Sequence, residues 1–356
     1  MRTFEFVRGR DPEALLWADR ALDLQRPLGL EGPTALGIRG GVRAAAGDVG
    51  GIDDLKRAVA RAQEAGGTLI MLKQLNNLAL ASWPYEGPVH AYELTREAIA
   101  VTRSRGATHE ISLAIATSLE CLFDMGEWSQ LIADGESHLA EVPADSSWVA
   151  SARTTVELAR ASRGEHRPRQ LAALVEDTVN YGDPQTMLAA LLAAAVASVH
   201  VRDESGGRAS LTEIEGLPDL RGQWSYPRYL AMCVRLAIAF RDVDLAERLL
   251  EGVDELTPLH RYATVAARAA LAEAHGDLVG AIDLYGQAAD AWQGFGHVPE
   301  HAFAELGRGR CLAALGRSAD AGVALGTARE LFVSLAAAPV LMQIDELLGE
   351  ATALTS

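Results

Sequence analysis

The chain has few lysines and few aromatic residues. Of its 356 residues, 6% are aromatic and two are lysines, Lys56 and Lys73. Neither lysine lies in a G-x-x-x-x-G-K-[S/T] loop, so the sequence contains no phosphate-binding P-loop. The three cysteines, Cys121, Cys233 and Cys311, are far apart and form no C-x-x-C pair. This pattern favours reduced thiols and a cytoplasmic location over a disulfide framework.

Long apolar runs and excess positive charge are also missing. The most apolar stretch, residues 187 to 201, ends beside Arg202 and Asp203 and is shorter than the ~20 residues that a membrane span needs. It is interpreted as a buried helix. The start of the chain lacks the basic and apolar segments of a signal peptide. A net charge of −16 repels the phosphate backbone, so neither direct nucleic-acid binding nor a membrane partner is expected.

Glycines recur at a nearly constant interval. The chain is 49% hydrophobic, which is enough for a large core. Gly206 and Gly276 are separated by two shorter intervals that meet at Arg241-Asp242. The regularly spaced glycines are Gly47, Gly87, Gly126, Gly164 and Gly206, followed by Gly276 and Gly316. Because apolar helical patterns lie on both sides of each glycine, the sequence predicts helical hairpins of roughly 39 residues.

This period predicts an all-α fold. Residues 1–356 are expected to form a single α-solenoid of about nine hairpins, with 17 or 18 antiparallel helices and no internal boundary. Repeats in a solenoid contact only their neighbours, so one elongated body can use the whole chain. The clearest repeats are residues 258–294 and 298–335. In the first of these, Ala281 and Ala288 are expected at close helix crossings.

Two repeats share one pattern of small and large residues. The matching positions are Gly276, Ala281, Tyr285 and Ala288, and then Gly316, Ala321, Leu325 and Ala328. These intervals resemble the second half of a tetratricopeptide repeat. The resemblance implies a right-handed superhelix of antiparallel hairpins whose first helices line a concave groove.

The whole chain resembles a region of larger regulators. The residues concerned are Arg10 to Leu15, the Gly276-Asp277 turn, and the closing run from Ala328 to Pro339. They resemble the C-terminal repeat regions of actinobacterial LuxR-type regulators and of multidomain class III adenylate cyclases. This resemblance implies a role in signalling or transcriptional regulation, with any output domain outside the 356 residues.

One motif suggests metal chemistry. Residues His297 to His301 spell H-x-x-E-H, the inverted zinc-protease pattern. Pro299 belongs in a first helical turn, which places His297 at or before the cap, so the two histidines should diverge. We therefore expect no cofactor and no enzymatic activity. A metal-dependent hydrolase stays open as a remote alternative.

The tetratricopeptide resemblance also suggests a partner-binding groove. An aromatic residue could anchor a peptide, and lysine and asparagine suit its carboxylate and backbone. Trp83 is the expected anchor, partly exposed like Lys73 and Asn76. The alternative is ordinary packing or a solvated helix face. The candidate residues are Lys73, Asn76, Asn77, Leu80, Trp83, Phe303, Leu306 and Arg310. The predicted function is a non-catalytic repeat scaffold that binds a protein or peptide, and the alternative is a fragment of a larger regulator.

Overall fold

The computed structural model describes residues 12–106, 111–142, 147–165 and 167–353. This part of the chain is helical and contains no β-strand, so the all-α prediction is confirmed. Short 3-10 helices lie at Arg26–Leu28 and Leu220–Gly222. The α-helices are α1 Pro12–Gln25, α2 Pro33–Ala45, α3 Gly50–Ala65, α4 Thr68–Glu86, α5 Pro88–Ser104, α6 Ser112–Asp124, α7 Trp128–Glu141, α8 Ser147–Ser162, α9 Pro168–Tyr181, α10 Pro184–Val201, α11 Glu204–Glu215, α12 Tyr226–Ala239, α13 Val243–Leu250, α14 Pro258–Ala274, α15 Leu278–Phe295, α16 Val298–Ala314, α17 Ser318–Leu335 and α18 Ala338–Ala353.

Helices α2 to α17 form hairpins in chain order. Each even-numbered helix from α2 to α16 is followed, across a short turn, by the odd-numbered helix of its hairpin, which gives eight hairpins within the described residues. Helix α1 precedes them and α18 follows. The chain is therefore a solenoid of helical hairpins, as the glycine period predicts.

The hairpin turns fall where a residue takes the left-handed backbone conformation. The φ angles are 89° at Gly47, 80° at Gly126, 84° at Gly276 and 73° at Gly316, which explains the glycine spacing because other residues rarely adopt this conformation. The expected turn at Gly206 is wrong by four residues. Gly206 lies in the first turn of α11, and the left-handed residue is Arg202 instead, with a φ of 57°.

Local sequence signals explain where many helices begin. Asp203, Asp242 and Asp277 precede α11, α13 and α15, and their carboxylates accept backbone N–H groups of the first turn at 2.9 to 3.0 Å. Such caps satisfy donors that have no partner within the helix. Proline is the first residue of α2, α5, α9, α10 and α14, where its missing N–H has no consequence.

Small residues let the helices of a hairpin approach closely. Ala281 and Ala288 of α15 are fully buried, as predicted, and Tyr285 and Trp292 on the same helix are 2% and 0% exposed. Each large ring fills space that the alanines leave beside the neighbouring helices. These four residues therefore share one buried face of α15, as their spacing predicts.

The array returns on itself after about five hairpins. Helix α4 contacts α14, and α6 contacts α16. A methyl group on Gly126, in the turn after α6, would lie 2.9 Å from both Val298 and Leu335. Gly164 lies in the same way against Pro339. We call α2–α9 the first half and α12–α18 the second half; the hairpin turns of the first half pack on loops of the second.

These contacts make the molecule more compact than an open solenoid. The chain exposes 15764 Å². A compact monomer of 37.9 kDa exposes about 13,900 Å² by the usual scaling of surface with mass. The expectation that repeats contact only their neighbours is wrong for this chain, because α4 contacts α14 and α6 contacts α16. The expected groove is covered because the second half packs on it.

Candidate functional site

Two of the candidate residues on α4 are buried, and one of them, Trp83, lies between the halves. Trp83 is 0% exposed, and its ring lies 4.1 Å from the Arg228 guanidinium and 5.9 Å from the Trp224 ring. Asn76 is 1% exposed. The prediction that both face an open groove is wrong, because residues of the second half cover this side of α4. Trp83 therefore packs inside the molecule and is not accessible as a peptide anchor in this state.

The other candidates on α4 are more accessible. Lys73 is exposed, whereas Asn77 and Leu80 are half-buried. Lys73 and Asn77 are four residues apart and so lie on one helix face. The binding role of this face stays a prediction.

Residues near Trp83 form a buried ion network. Arg228 of α12 is 2% exposed and donates from Nε and Nη2 to the two carboxylate oxygens of Asp124, at 3.0 Å each. Its Nη1 donates to Glu120 Oε2 at 2.7 Å. His297 Nε2 lies 3.5 Å from the same Asp124 carboxylate. These contacts join α6 to α12 and α16, so the network holds the two halves together.

Burial controls the electrostatics of this network. Removal from water raises the pKa of the Glu120 carboxyl, and the positive charge of Arg228 opposes that rise. Burial would lower the pKa of Arg228, but Asp124 and Glu120 outweigh it and keep the guanidinium charged. Sequence reasoning missed this network because Arg228 is more than a hundred residues from Glu120 and Asp124, and no motif links the three.

The candidates in the second half meet at one cavity. Phe303 and Arg310 are half-buried and Leu306 is 1% exposed, and all three line a cavity of about 490 Å³. Most of the wall is apolar. The larger apolar side chains in it include Val199, Met232, Leu236, Phe303, Leu306 and Phe332. The cavity lies between the halves, because Trp128 and Ser162 of α7 and α8 also contribute to its wall.

An arginine and a glutamate face each other beside this cavity. Arg235 donates from Nη1 and Nη2 to the two oxygens of Glu300, at 2.6 and 2.7 Å. Glu300 is 1% exposed, and the guanidinium carbon of Arg235 lies 4.2 Å from the centre of the Phe303 ring. The ion pair holds the Arg235 guanidinium over the face of the Phe303 ring, and the ring attracts its positive charge.

A second pair lies in the cavity wall. Arg310 donates from Nε and Nη2 to the two oxygens of Glu273, at 2.8 Å each, and the Tyr285 hydroxyl donates to Glu273 at 2.6 Å. Burial alone would raise the pKa of Glu273, but the hydrogen bonds from Arg310 and Tyr285 outweigh it and lower that pKa. Burial and the nearby Glu273 charge raise the pKa of Tyr285. At neutral pH the pair is charged and the phenol is protonated.

The H-x-x-E-H motif lies at the start of α16. His297 is the N-terminal cap, where its Nδ1 accepts the Glu300 N–H at 3.4 Å, as the position of Pro299 predicts. His297 is 2% exposed, and burial lowers the pKa of His301. Across the described residues, no group of three His, Cys, Asp or Glu side chains is placed to hold a metal ion.

Helix α10 is the most apolar element. Among the described residues it is the one helix long and apolar enough to cross a membrane by composition. Half of its residues are buried inside the fold, including Leu188, Leu191 and Leu192 at no more than 2% exposure. A buried core helix passes the same composition test.

Comparisons with known proteins include a resemblance to a solved structure. No protein-family model matches the chain, and no curated protein matches it. A solved structure described as a "circular tandem repeat protein with novel repeat topology and enhanced subunit contact surfaces" is 14% identical, covering 96% of this chain and 89% of its own, with a TM-score of 0.20. The description of the fold therefore rests on the helices of the chain itself.

Proposed function

We propose that the chain is a non-catalytic helical-repeat scaffold that binds a partner in signalling or transcriptional regulation, and that the cavity is its binding site. The observation that supports this is the meeting of Phe303, Leu306 and Arg310 at one apolar cavity. Apolar recesses with a few fixed polar groups are the usual form of binding sites. A protein or peptide partner would insert an apolar side chain there.

A cytoplasmic location is part of the proposal. Cys121, Cys233 and Cys311 are free and buried. Burial raises the pKa of the Cys233 and Cys311 thiols to about 12, so both stay protonated and unreactive at neutral pH. Free thiols are typical of proteins in a reducing compartment such as the cytoplasm, which supports this part of the proposal.

Partner capture with two matched variants tests the proposal. Val199 and Val201 both lie on α10 and are 36% and 61% exposed, but Val199 lines the cavity. Two residues correspond to about 200° of helix rotation, so Val201 faces away. A partner recovered from a lysate of the source organism should be lost with Val199→Trp and retained with Val201→Trp. Equal recovery with both variants would show that the cavity is not its binding site.

The accessible face of α4 has its own test. Lys73 and Lys56 are both exposed, but only Lys73 belongs to the candidate set. For a recovered partner, Lys73→Ala should lower the association rate and its salt dependence, because surface charges mainly steer encounter. Lys56→Ala is the control. Identical rates for the two variants would remove this face from the proposal.

The second candidate function is an arm of a larger regulator whose output domain lies outside this chain. The observation that favours it is the apolar surface of α1, where Leu16, Trp17 and Leu24 are 48%, 50% and 77% exposed. Terminal units of repeat proteins usually present a polar outer face, and large apolar patches mark protein contacts. The adjoining genomic sequence tests this idea: an in-frame Walker loop, cyclase core or helix-turn-helix would support it. A stop codon and separate promoters on both sides would rule it out.

A further inference from the structure

We infer that the cavity binds a small amphipathic molecule, with an apolar chain inside it and a carbonyl-bearing head at Arg235 and Arg310. This inference rests on the proposed role of the cavity as a binding site and goes beyond the proposed function, because it gives the cavity a small-molecule ligand instead of a side chain of a protein partner. It is carried by the shape of the cavity and by the arrangement of its polar groups.

The shape suits a small molecule. A volume of about 490 Å³ lies within the range of about 300–1,000 Å³ that is typical of small-molecule sites. The walls come from both halves of the molecule, which encloses the space on several sides. An extended peptide needs backbone hydrogen-bond partners spaced along a groove. Here the charged groups form two compact pairs, which suits a single polar head.

The polar groups favour an accepting head. Both oxygens of Glu273 already accept hydrogen bonds from Arg310, and one of them also accepts from Tyr285. Both oxygens of Glu300 accept from Arg235. The carboxylate oxygens of both pairs are thus engaged, whereas each guanidinium has five N–H donors and uses two in its pair.

Charge disfavours an ammonium head. A ligand ammonium would meet the guanidinium groups of Arg235 and Arg310, which are like charges. The two carboxylates that could offset this repulsion are already paired with those arginines. A carbonyl oxygen, in a carboxylate or in an amide, instead accepts N–H groups that are fixed in place. The shared chemistry is therefore an apolar chain that ends in a carbonyl group.

Occupancy should also bind the two halves together. Ser162 and Trp128 belong to the first half, and Phe303 and Phe332 to the second. A ligand in contact with both favours the closed state over any state in which they separate. Ligand binding should then appear as a rise in the unfolding temperature that grows with ligand concentration.

Calorimetry on the full chain with three ten-carbon probes tests the inference. Decanoate and decanamide share the carbonyl group but differ in charge, and decylamine has an ammonium in its place. Decanoate and decanamide should both bind, and decylamine should bind at least tenfold more weakly. Val199→Trp should weaken decanoate binding at least tenfold, and Val201→Trp should leave it within twofold. Unfolding temperatures without ligand check that both variants are folded.

The outcomes separate this inference from the proposed function. Decylamine binding as tightly as decanoate would overturn the head chemistry. If no probe binds but a protein partner is lost with Val199→Trp, the cavity accepts a protein segment, and the small-molecule inference fails while the proposed function stands. If Val199→Trp affects neither probe nor partner, both fail. Decanoate binding without decanamide binding would narrow the occupant to an acid and overturn the shared carbonyl claim.

Discussion

The charge of Arg228 is buried, against the Trp83 ring and the carboxylates of Asp124 and Glu120. Removing one partner of a buried ion pair leaves the others charged without compensation, which costs about 3–5 kcal/mol. Arg228→Met should therefore lower the free energy of unfolding by about that amount at pH 7. The loss should shrink towards pH 5, as the unpaired carboxyls take up protons. Urea unfolding at both pH values measures it.

The control for this variant is an exposed pair of the same kind. Arg248 donates to Glu215 at 2.7 Å, but the arginine side chain is 49% exposed. Exposed pairs contribute at most about 1 kcal/mol, so Arg248→Met should change stability little. Equal losses from the two substitutions would mean that the Arg228 network does not hold the halves together.

The lowered pKa of Glu273 predicts that the stability of the fold depends on pH. Its folded pKa is lowered, so it contributes stability that is present above the unfolded pKa of about 4.3 and lost as the pH falls through the folded value. The unfolding temperature of Glu273→Gln should lie below that of the wild type at pH 7. The difference should disappear as the pH falls from about 5 to 3. Thermal melts across this window measure it.

Glu305 provides a control of opposite sign. Burial raises its pKa, so its charged form opposes folding as the pH rises through the unfolded value towards the folded one. Glu305→Gln should therefore gain unfolding temperature relative to the wild type as the pH increases. Parallel pH profiles for the two variants would show that at least one of the two pKa directions is wrong.

The burial of some residues could be predicted from the sequence, and that of others could not. Ala281 and Ala288 are set by the three- and four-residue spacing of their own helix, and both are buried as predicted. Trp83 satisfies the same local pattern, but its environment depends on Arg228 and Trp224, more than 140 residues away. No local pattern reports such a contact, so its predicted exposure was wrong.

At the scale of helices, the close crossing at Ala281 leaves no room for a larger side chain. Ala281 is 0% exposed. Ala281→Leu should overpack this crossing and cost about 1–3 kcal/mol, and Ala288→Leu should behave alike. Ala133→Leu, on the exposed side of α7, is the control and should stay within about 0.5 kcal/mol. Urea unfolding measures the change in the free energy of unfolding for each variant. No change at either Ala281 or Ala288 would contradict the predicted helix register.

The hairpin turns offer a matched pair of glycines. Gly126 and Gly276 have φ angles of 80° and 84°, but only Gly126 faces the other half. Alanine in this conformation costs roughly 1–2 kcal/mol at either turn. At Gly126 the new methyl group would also lie 2.9 Å from Leu335 and Val298, which adds about 1–3 kcal/mol. Equal losses from Gly126→Ala and Gly276→Ala in urea unfolding would show that the halves do not touch there.

Element positions were the most predictable part of the fold. Turns follow from glycine, proline and aspartate signals that act within a few residues, as at Asp277 and Gly276. Arg202 shows where this reasoning stops. It takes the left-handed conformation although it is not glycine. A prediction based on glycine spacing therefore placed this turn at Gly206, four residues too late.

At the scale of the whole molecule, contact between the halves predicts a compact particle. A globular chain of 356 residues has a radius of gyration of about 20.5 Å. X-ray scattering in solution should give a value within roughly 15% of this figure, in keeping with the small excess of exposed surface. A clearly larger radius would indicate an open solenoid whose halves are apart.

The candidate site could be predicted only in part. Phe303, Leu306 and Arg310 follow one another on α16, so their common location is a matter of helix spacing. Arg235 and Glu273 lie on two other helices, and Trp128 belongs to the other half. A cavity of this kind exists only after the array has returned on itself, and the repeat period does not encode where that happens.

The stacking of the halves restricts how such a protein can change its length. In an open array, a hairpin can be duplicated or deleted in the middle, because each unit recognises only its neighbours. Here Arg228 must meet Asp124 across a fixed number of hairpins. Loss of α10 and α11 would move every later unit by one place, so Arg228 would no longer face its carboxylates. We therefore expect that a hairpin added or removed between the two halves would destabilise the fold more than one added or removed at either end of the array.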